Sequence, residues 1–463
     1  MTTTRTRRWA ARTAAVLAAA AVAGSAVPAA QARPPKGETA RVSEGFKGAQ
    51  LSGYSYALGL SEDGRSALFT SASADLLPGG SGSDDVYVRD LRNGRTERVS
   101  VADDGSALDF PTTDASISGD GRYVAFSTSA SGVVPGQVAH NSDVYVRDRR
   151  TGRTELITAG AVPSGEDQSL RDSHQPVLSR DGRYVAYASD RTDLVPGVRR
   201  GRLNIYVTDR WTRTTRLVTT GPDGQGSGGN AANPTISADG SAIGFTARTW
   251  YPGPGAAGSP DAAPDGTPGL TGPRYYPFFV WKADSGLITG ASADGTGTVR
   301  GVGHDARISP DGRYAVYSLP IFGAGTPDHN HSIRMDVHVH ELATGRVTKV
   351  NADLPGTATT KDSGGGVMTA DGRWVYFDST ADTLVPGDTN NTSDVFRRDL
   401  RTGRIERVSL TLDGEQSTGP SSTPYVDAAG GTVLFTAEDG NLVPGDTNGT
   451  SDVFRRRLRG TAG

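Results

Sequence analysis

The apolar and polar positions of this chain follow a pattern that returns seven times, with a period of about 60 residues. Its clearest copies contain S-x-D-G-R, an apolar run, a loop with L-V-P-G, and then D-V-Y/F-x-R-D, T-G-R and x-R-V-S. The Asp of the S-x-D-G element falls at Asp63, Asp120, Asp181, Asp239, Asp311 and Asp371. In the seventh repeat Ala429 stands at this position, and the motif is degenerate there. A fixed period of this size is typical of repeat architectures.

Each repeat predicts four antiparallel strands. In the second repeat these strands cover 114–118, 123–128, 143–148 and 154–158. Asp120-Gly121 joins the first two strands and Thr151-Gly152 the last two, because glycine can take a positive φ in a tight hairpin. The second strands are nearly continuous apolar runs, so they must be covered on both faces. The fourth strands carry charge, which indicates a partly solvated outer edge.

The two ends of the repeat region complement each other. Residues 39–43 (T-A-R-V-S) are a lone copy of the fourth strand, and the chain stops after 452–454 just where a fourth strand is expected. In a closed ring, residues 39–43 would pair with 452–457 and leave no incomplete sheet. The sequence therefore predicts an all-β fold, a seven-bladed β-propeller of four-stranded antiparallel blades, closed by an N-terminal strand that completes the C-terminal blade.

The motifs that carry the repeat resemble those of the TolB-like, WD-repeat-like β-propeller family. They are S-x-D-G-R, as at 118–122 and 309–313, an apolar strand, and D-V-Y-V-R-D at 143–148. The resemblance covers nearly all of residues 39–458 and implies the blade type. Propellers of this family occur as periplasmic interaction modules, as sensors and as gates fused to α/β-hydrolase peptidases, so the resemblance implies little about activity.

Three segments follow from this reading: a signal peptide at 1–32, the propeller at 33–458 and a short tail at 459–463. The expected blades are 54–100, 114–158, 175–220, 233–291, 305–350, 365–408, and 423–457 together with 39–43. The signal peptide has a cationic start, an apolar stretch at 14–27 and an A-Q-A cleavage site at 30–32. We therefore expect a secreted or otherwise extracytoplasmic protein with no membrane span after cleavage.

Charge and cysteine content restrict the classes of partner. Removal of residues 1–32 leaves 44 basic and 51 acidic residues, a net charge of −7, which gives no support to nucleic-acid binding. The chain has no Cys, so an exported fold of this size dispenses with disulfides. There is no G-x-S-x-G elbow for a nucleophilic serine. These observations favour a binding protein over a hydrolase, and we expect a monomer.

The predicted ligand site lies at the mouth of the central channel. All large differences in loop length fall on one face, including insertions at 250–276 and 319–335, and loops on a rigid scaffold commonly carry function. Polar residues recur there at the start of the innermost strand, six or seven residues before the turn Asp: Asp114, His174, Gln175, Asn233, His304 and Asp305. They form a ligand site if they converge. The alternative is that they cap strand starts.

Two groups of residues are candidate metal ligands. The fifth repeat holds two histidine pairs that could bind a transition metal: His329, His331, His338 and His340. Two loops share the pattern D-x-N-x-x-x-D, which suits Ca²⁺, and their candidate ligands are Asp388, Asn390, Asp394, Asp446, Asn448 and Asp452. Exposed histidines on a strand and ordinary Asp/Asn turns are the alternatives. The fold itself requires no cofactor.

The sequence thus predicts a secreted propeller scaffold whose channel-mouth loops bind a protein or a cell-envelope component. The alternative is a metal-dependent propeller enzyme, a lyase or hydrolase acting on a carbohydrate or lactone.

Overall fold

The computed structural model describes residues 37–78, 80, 82–137, 142–160, 172–198, 202–221, 226, 230–247, 276–303, 305–322, 332–357, 361–438 and 440–458. The predicted signal peptide at 1–32, the tail at 459–463 and all of the 250–276 insertion except Tyr276 lie outside the described residues. In the described part of the chain, no helix is long and apolar enough to cross a membrane.

The strands form seven antiparallel sheets, and each sheet is one blade. Blade 1 contains β2 (Ser55–Leu60), β3 (Ser66–Ser71), β4 (Asp85–Asp90) and β5 (Thr96–Arg98). Blade 2 contains β6 (Ala115–Ile117), β7 (Tyr123–Thr128), β8 (Asp143–Asp148) and β9 (Arg153–Leu156). Blade 3 contains β10 (Ser173–Leu178), β11 (Tyr184–Ser189), β12 (Asn204–Asp209) and β13 (Thr214–Leu217).

The remaining blades repeat this order. Blade 4 contains β14 (Ala231–Ile236), β15 (Ala242–Ala247), β16 (Tyr276–Lys282) and β17 (Ile288–Gly290), with the short β18 (Gly301–Val302) beside β16. Blade 5 contains β19 (Arg307–Ile308), β20 (Tyr314–Phe322), β21 (Ser332–Glu341) and β22 (Arg346–Lys349). Blade 6 contains β23 (Ser363–Met368), β24 (Trp374–Ser379), β25 (Asp394–Asp399) and β26 (Ile405–Arg407). Blade 7 contains β27 (Ser421–Val426), β28 (Thr432–Ala437), β29 (Asp452–Leu458) and, from the other end of the chain, β1 (Gly37–Arg41).

The seven-bladed propeller is therefore confirmed, and so is its closure. β1 pairs with β29 in antiparallel register from Gly37↔Leu458 to Arg41↔Phe454. The pairing continues beyond the strand, since the backbone N–H of Val42 donates to the carbonyl of Val453 at 2.7 Å. Blade 7 thus takes its outer strand from the N-terminal end of the propeller, as the lone T-A-R-V-S copy predicts.

A side-chain clasp fastens the outer hairpin of six blades. Two residues after the fourth strand ends, a hydroxyl or amide donates to an Asp or Asn of the third strand, which is the first residue of that strand except in the longer β21 of blade 5. These donor and acceptor pairs are Ser100–Asp85, Thr158–Asp143, Thr219–Asn204, Asn351–Asp336, Ser409–Asp394 and Ser43–Asp452. At the seam, Ser43 Oγ lies 2.5 Å from Asp452 Oδ1 and also accepts the N–H of Val453 at 2.9 Å. The ring is thus closed by the clasp that the other blades use internally.

The S-x-D-G turn holds the inner hairpin in the same way. In blade 2, Ser118 Oγ donates to Asp120 Oδ1 at 2.8 Å and accepts the N–H of Tyr123 at 2.9 Å. Asp120 Oδ1 also accepts the N–H of Arg122, while Gly121 has a φ of 72°. The turn needs a glycine because that backbone conformation is unfavourable for other residues. The motif is therefore structural.

The core lies between blades. The second and third strands bury their apolar residues on both faces, so each interface joins neighbouring blades, as with Val395 of blade 6 and Phe435 of blade 7. Blade 5 departs from the pattern because β20 and β21 stay paired as far as Phe322↔Ser332. Residues 319–322 and 332–335 of the predicted loop insertion are therefore parts of two paired strands.

We expect Ser43→Ala to loosen the seam. The substitution removes a hydrogen bond to a buried carboxylate, so the opening free energy of β1 should fall by about 1–3 kcal/mol. Hydrogen exchange of the amides of residues 37–43 measures this opening. Ser409→Ala is the matched control, because it removes the same clasp inside blade 6. Equal protection of β1 in both variants would contradict a role for Ser43 in closing the ring.

Candidate functional site at the channel mouth

A β-bulge opens the innermost strand of several blades at the channel mouth. In blades 3, 4, 6 and 7 the register with the second strand shifts at this point. One residue of each bulge has a positive φ, namely Gln175 at 55°, Asn233 at 53°, Gly365 at 67° and Thr423 at 55°. Proline follows three of these residues and restricts the backbone further. Bulges commonly re-aim a side chain, and such strained residues cluster at functional sites.

The innermost strands enclose a cavity of about 400 Å³. Residues from the first strands of blades 1–5 line it, together with Tyr425 of blade 7. Four predicted site residues are part of this lining: Asp114, Gln175, Asn233 and Asp305. His174 is on β10 but is not among the lining residues, and His304 lies outside the described residues. The structure therefore brings four of the six predicted residues to one cavity.

The side-chain amides of Gln175 and Asn233 form a reciprocal pair between blades 3 and 4. Gln175 Nε2 donates to Asn233 Oδ1 at 3.0 Å, and the backbone N–H of Asn233 donates to Gln175 Oε1 at 2.9 Å. Asn233 Nδ2 also donates to Thr246 Oγ1 of the second strand at 3.1 Å. Because these contacts restrict both amides, the pair presents a preorganised polar surface to the cavity.

Two carboxyl groups meet where blades 5, 6 and 7 adjoin. Asp305 Oδ2 accepts hydrogen bonds from Ser318 Oγ at 2.8 Å and from the N–H of Gly365 at 2.5 Å. Asp378 Oδ2 accepts the N–H of Thr423 at 3.3 Å. Burial raises the pKa of Asp378 to about 6, and the negative charge of Asp305 adds to this effect. This corner of the mouth can therefore hold a proton close to neutral pH.

Sequence reasoning missed Asp378, although the repeat contains a signal for it. Asp378 is the fifth residue of a second strand, where the other blades have a hydroxyl or methyl side chain: Thr70, Ser127, Ala188, Thr246, Ser318 and Thr436. In blades 4 and 5 that side chain contacts the mouth residue of the first strand. A carboxylate at this position of the repeat is a departure that an alignment of the seven copies can detect.

Arginine occupies both of the predicted calcium loops. Arg407 lies 2.9 Å from Asp388 and 3.3 Å from Asp394, while Arg41 lies 3.2 Å from Asp446 and 3.8 Å from Asp452. Asn390 and Asn448 each donate their side-chain N–H to the second Asp of their loop, at 3.0 and 3.3 Å. In the described structure, a guanidinium thus supplies the positive charge that neutralises these carboxylates.

The two described histidines of blade 5 are held by the fold, His338 within its own blade and His340 against blade 4. His338 Nδ1 lies 3.0 Å from the carbonyl of Asp336 and its ring stacks on Tyr317, and burial lowers its pKa. His340 Nδ1 lies 2.8 Å from the carbonyl of Ala291. His329 and His331 lie outside the described residues. Among the described residues, no group of three or more His, Cys, Asp or Glu side chains is placed to hold a metal ion.

Comparison with known proteins supports the fold. No family model and no curated protein matches the sequence. An oligogalacturonate lyase in complex with manganese is 14% identical, with 92% of this chain and 97% of the lyase covered at a TM-score of 0.51. The oligogalacturonate lyase of Vibrio parahaemolyticus is 12% identical, with 94% of this chain and 100% of the lyase covered at a TM-score of 0.51. TolB from Acinetobacter baumannii is 15% identical, with 81% of this chain and 77% of TolB covered at a TM-score of 0.37. At such identities the two lyases show likeness of fold alone.

We expect Asp378→Ser to remove a pH-dependent destabilisation. Because the folded pKa of about 6 exceeds the unfolded value of about 4, the native protein binds the extra proton and loses stability as pH rises from about 4 to 6. The unfolding free energy of the variant relative to wild type should therefore rise by about 1–2 kcal/mol between pH 4 and pH 7. Urea titration across this range measures the difference, and Asp413→Ser controls for loss of an exposed carboxylate. A difference that does not vary with pH would contradict the assignment.

We expect Thr423→Gly to stabilise the protein by about 1 kcal/mol, because a β-branched residue at φ 55° is strained and glycine is not. Gly365→Thr, at the equivalent bulge of blade 6, is the opposite test. A Cβ at residue 365 would lie 2.2 Å from Asp378 Oδ2, so this variant should be destabilised. Denaturant unfolding of both variants measures the effect. Destabilisation by Thr423→Gly would show that the side chain of Thr423 outweighs the backbone strain.

Proposed function

We propose that this protein is a propeller scaffold that binds a protein or a cell-envelope component at its channel mouth. The observation that carries the proposal is the cavity of about 400 Å³, where polar side chains from several blades converge. A concave site with a few convergent polar groups is the usual form of a ligand site. Its walls come from different blades, so binding uses the closed ring and not a single repeat.

The mouth is built rigidly, which favours recognition. The amides of Gln175 and Asn233 restrain each other, and Asp305 is held by a hydroxyl and a backbone N–H. Rigid groups lose less conformational freedom on association, so more of the interaction energy remains as affinity. The positive φ values of Gln175, Asn233 and Thr423 also fit a site whose geometry matters more than local stability.

Exposed aromatic side chains near the mouth favour a macromolecular partner. Tyr54 and Tyr56 begin the innermost hairpin of blade 1, with ring centroids 5.3 Å apart and exposed fractions of 38% and 43%. Tyr54 is held by a hydrogen bond from its hydroxyl to Asp84 at 3.0 Å. Phe110 in the following loop is 52% exposed. Tyrosine and phenylalanine are enriched in protein interfaces, so these rings extend the contact surface beyond the cavity.

The predicted signal peptide favours a partner that lies outside the cytoplasm. An exported monomer with no membrane span meets other exported proteins, cell-wall material and bound surface polymers. A partner from the envelope is therefore the one we propose.

A metal-dependent lyase or hydrolase is the second candidate, and the pair Asp305 and Asp378 favours it. A carboxyl group with a pKa of about 6 can donate a proton to a leaving group near neutral pH. The manganese of the similar lyase structure makes that metal the first one to test. The described residues contain no cluster of three ligands for it, so a metal site would need residues such as His304 that lie outside them.

Capture experiments distinguish the two functions. The immobilised protein is exposed to the envelope fraction of its source organism, each captured partner is purified, and its affinity is measured directly. We expect Gln175→Ala/Asn233→Ala to weaken the complex at least about tenfold, because it removes the paired amides of the mouth. Arg346→Ala, on the opposite face and 72% exposed at its side chain, is the control and should bind normally.

Two results would contradict the binding function. One is a purified partner that binds the double variant as tightly as wild type. The other is stoichiometric manganese in the purified protein together with turnover of a carbohydrate or lactone, which would support the enzyme.

A further inference from the structure

Two charged side chains of opposite sign line the channel cavity without neutralising each other. Asp114 comes from blade 2 and Arg307 from blade 5. Neither forms an ion pair with another residue in the part of the chain that the structure describes. Buried or half-buried charged side chains usually form ion pairs. A charged side chain that lines a cavity and has no such partner is therefore a candidate for ligand recognition.

Arg307 differs in charge from the residues at the same position of the other six repeats. It lies four residues before the turn Asp, and the equivalent residues of the other blades are uncharged: Gly59, Ser116, Val177, Thr235, Val367 and Tyr425. Its guanidinium carbon lies 5.2 Å from the centre of the Tyr425 ring. This cation–π contact holds the side chain across the channel, while the N–H groups of the guanidinium keep their capacity to donate.

A second polar group at the same level also lacks a partner. Ser116 lines the cavity, and its Oγ is buried without a hydrogen bond to any described residue. A buried hydroxyl without a partner is uncommon in folded proteins. Ser116 is therefore a second polar residue in the wall of this cavity whose side chain the fold leaves without a partner.

The chemistry of these groups selects the ligand. A guanidinium binds a carboxylate through two parallel hydrogen bonds. Asp114 and Asp305 each lie two residues before the position of Ser116 and Arg307 in the repeat, and they would repel an anion of higher charge such as phosphate. A ligand with one carboxylate and a nearby ammonium or amide N–H can bind both the guanidinium of Arg307 and the carboxylate of Asp114.

We infer that the channel binds a zwitterionic, peptide-like ligand whose carboxylate meets Arg307 and whose ammonium or N–H meets Asp114. This inference rests on the proposed binding function and names the chemical group that enters the channel. The group is either a free short peptide or the C-terminal end of a partner chain. Asp114 and Arg307 then determine specificity, whereas the Gln175–Asn233 pair supplies hydrogen bonds to the backbone of the ligand.

Calorimetric titration of the purified protein with small probes tests the inference. Glycylglycine carries both charges, N-acetylglycine only the carboxylate, and glycinamide only the ammonium group. An N-acetylated pentapeptide with a free C-terminus represents the end of a partner chain, and the same peptide with an amidated C-terminus is the control for its carboxylate. The variants are Arg307→Gln, Arg307→Lys and Asp114→Asn, and Arg346→Gln on the opposite face is the control. Thermal melting establishes that each variant is folded.

We expect wild type to bind glycylglycine more tightly than either singly charged probe. Arg307→Gln should weaken binding of glycylglycine about tenfold or more, and Arg307→Lys less, because lysine keeps the charge and loses the fork. Asp114→Asn should weaken glycylglycine binding and leave N-acetylglycine binding unchanged or improved. Preference for the N-acetylated pentapeptide with a free C-terminus over glycylglycine would identify a chain end as the natural ligand.

The inference is overturned if wild type binds none of the carboxylate probes, or if Arg307→Gln binds glycylglycine as wild type does. Its failure is separable from that of the proposed function. A partner whose binding requires Gln175 and Asn233 but tolerates Arg307→Gln leaves the binding function in place and excludes a carboxylate on Arg307.

Discussion

The antiparallel pairing of β1 with β29 is the interaction on which the rest of this structure depends. Without it, blade 7 would present the unpaired edge of β29, and the interface between the first and last blades would lose its outer strand. Closure also sets the position of every innermost strand around one axis. A cavity with walls from blades 1–5 and from blade 7 exists only when the ring is shut. Fold and candidate site thus share one requirement.

The propeller has a turn face, which carries the S-x-D-G-R turns, and a loop face, which carries the channel mouth. The two faces use the repeat differently. On the turn face, S-x-D-G-R forms the same hydrogen bonds in successive blades, as at Ser118 and Ser179, and its residues are occupied by the fold. On the loop face, equivalent positions carry different side chains, such as Gln175, Asn233 and Thr423. Because the scaffold holds each of these positions in a bulge of the same kind, changes of side chain alter the surface without altering the backbone.

Electrostatics at the periphery and in the channel follow opposite rules. In the outer loops, carboxylates that resemble cation ligands are neutralised by Arg41 and Arg407 from the fourth strands. In the channel, Asp114 and Arg307 have no such neutralisation among the described residues, and Asp378 is buried beside another carboxyl group. A buried charge without a partner destabilises the folded state, because the solvation that it loses is not replaced. The proposed recognition of a ligand therefore rests on the unpaired charges of the channel and not on the carboxylates of the outer loops.

The local pattern of residues was sufficient to predict the seven repeats, the four strands of each blade, the closure of the ring by an N-terminal strand and four polar residues that line the channel cavity. These features were predictable because turn chemistry and the alternation of apolar residues are local properties, repeated seven times. The packing of strands and blades fixes which distant side chains meet: Arg407 lies between Asp388 and Asp394, Asp378 near Asp305, and Arg307 on Tyr425. Such contacts join residues of different strands or blades, so their existence depends on how the strands pack, which no local pattern specifies.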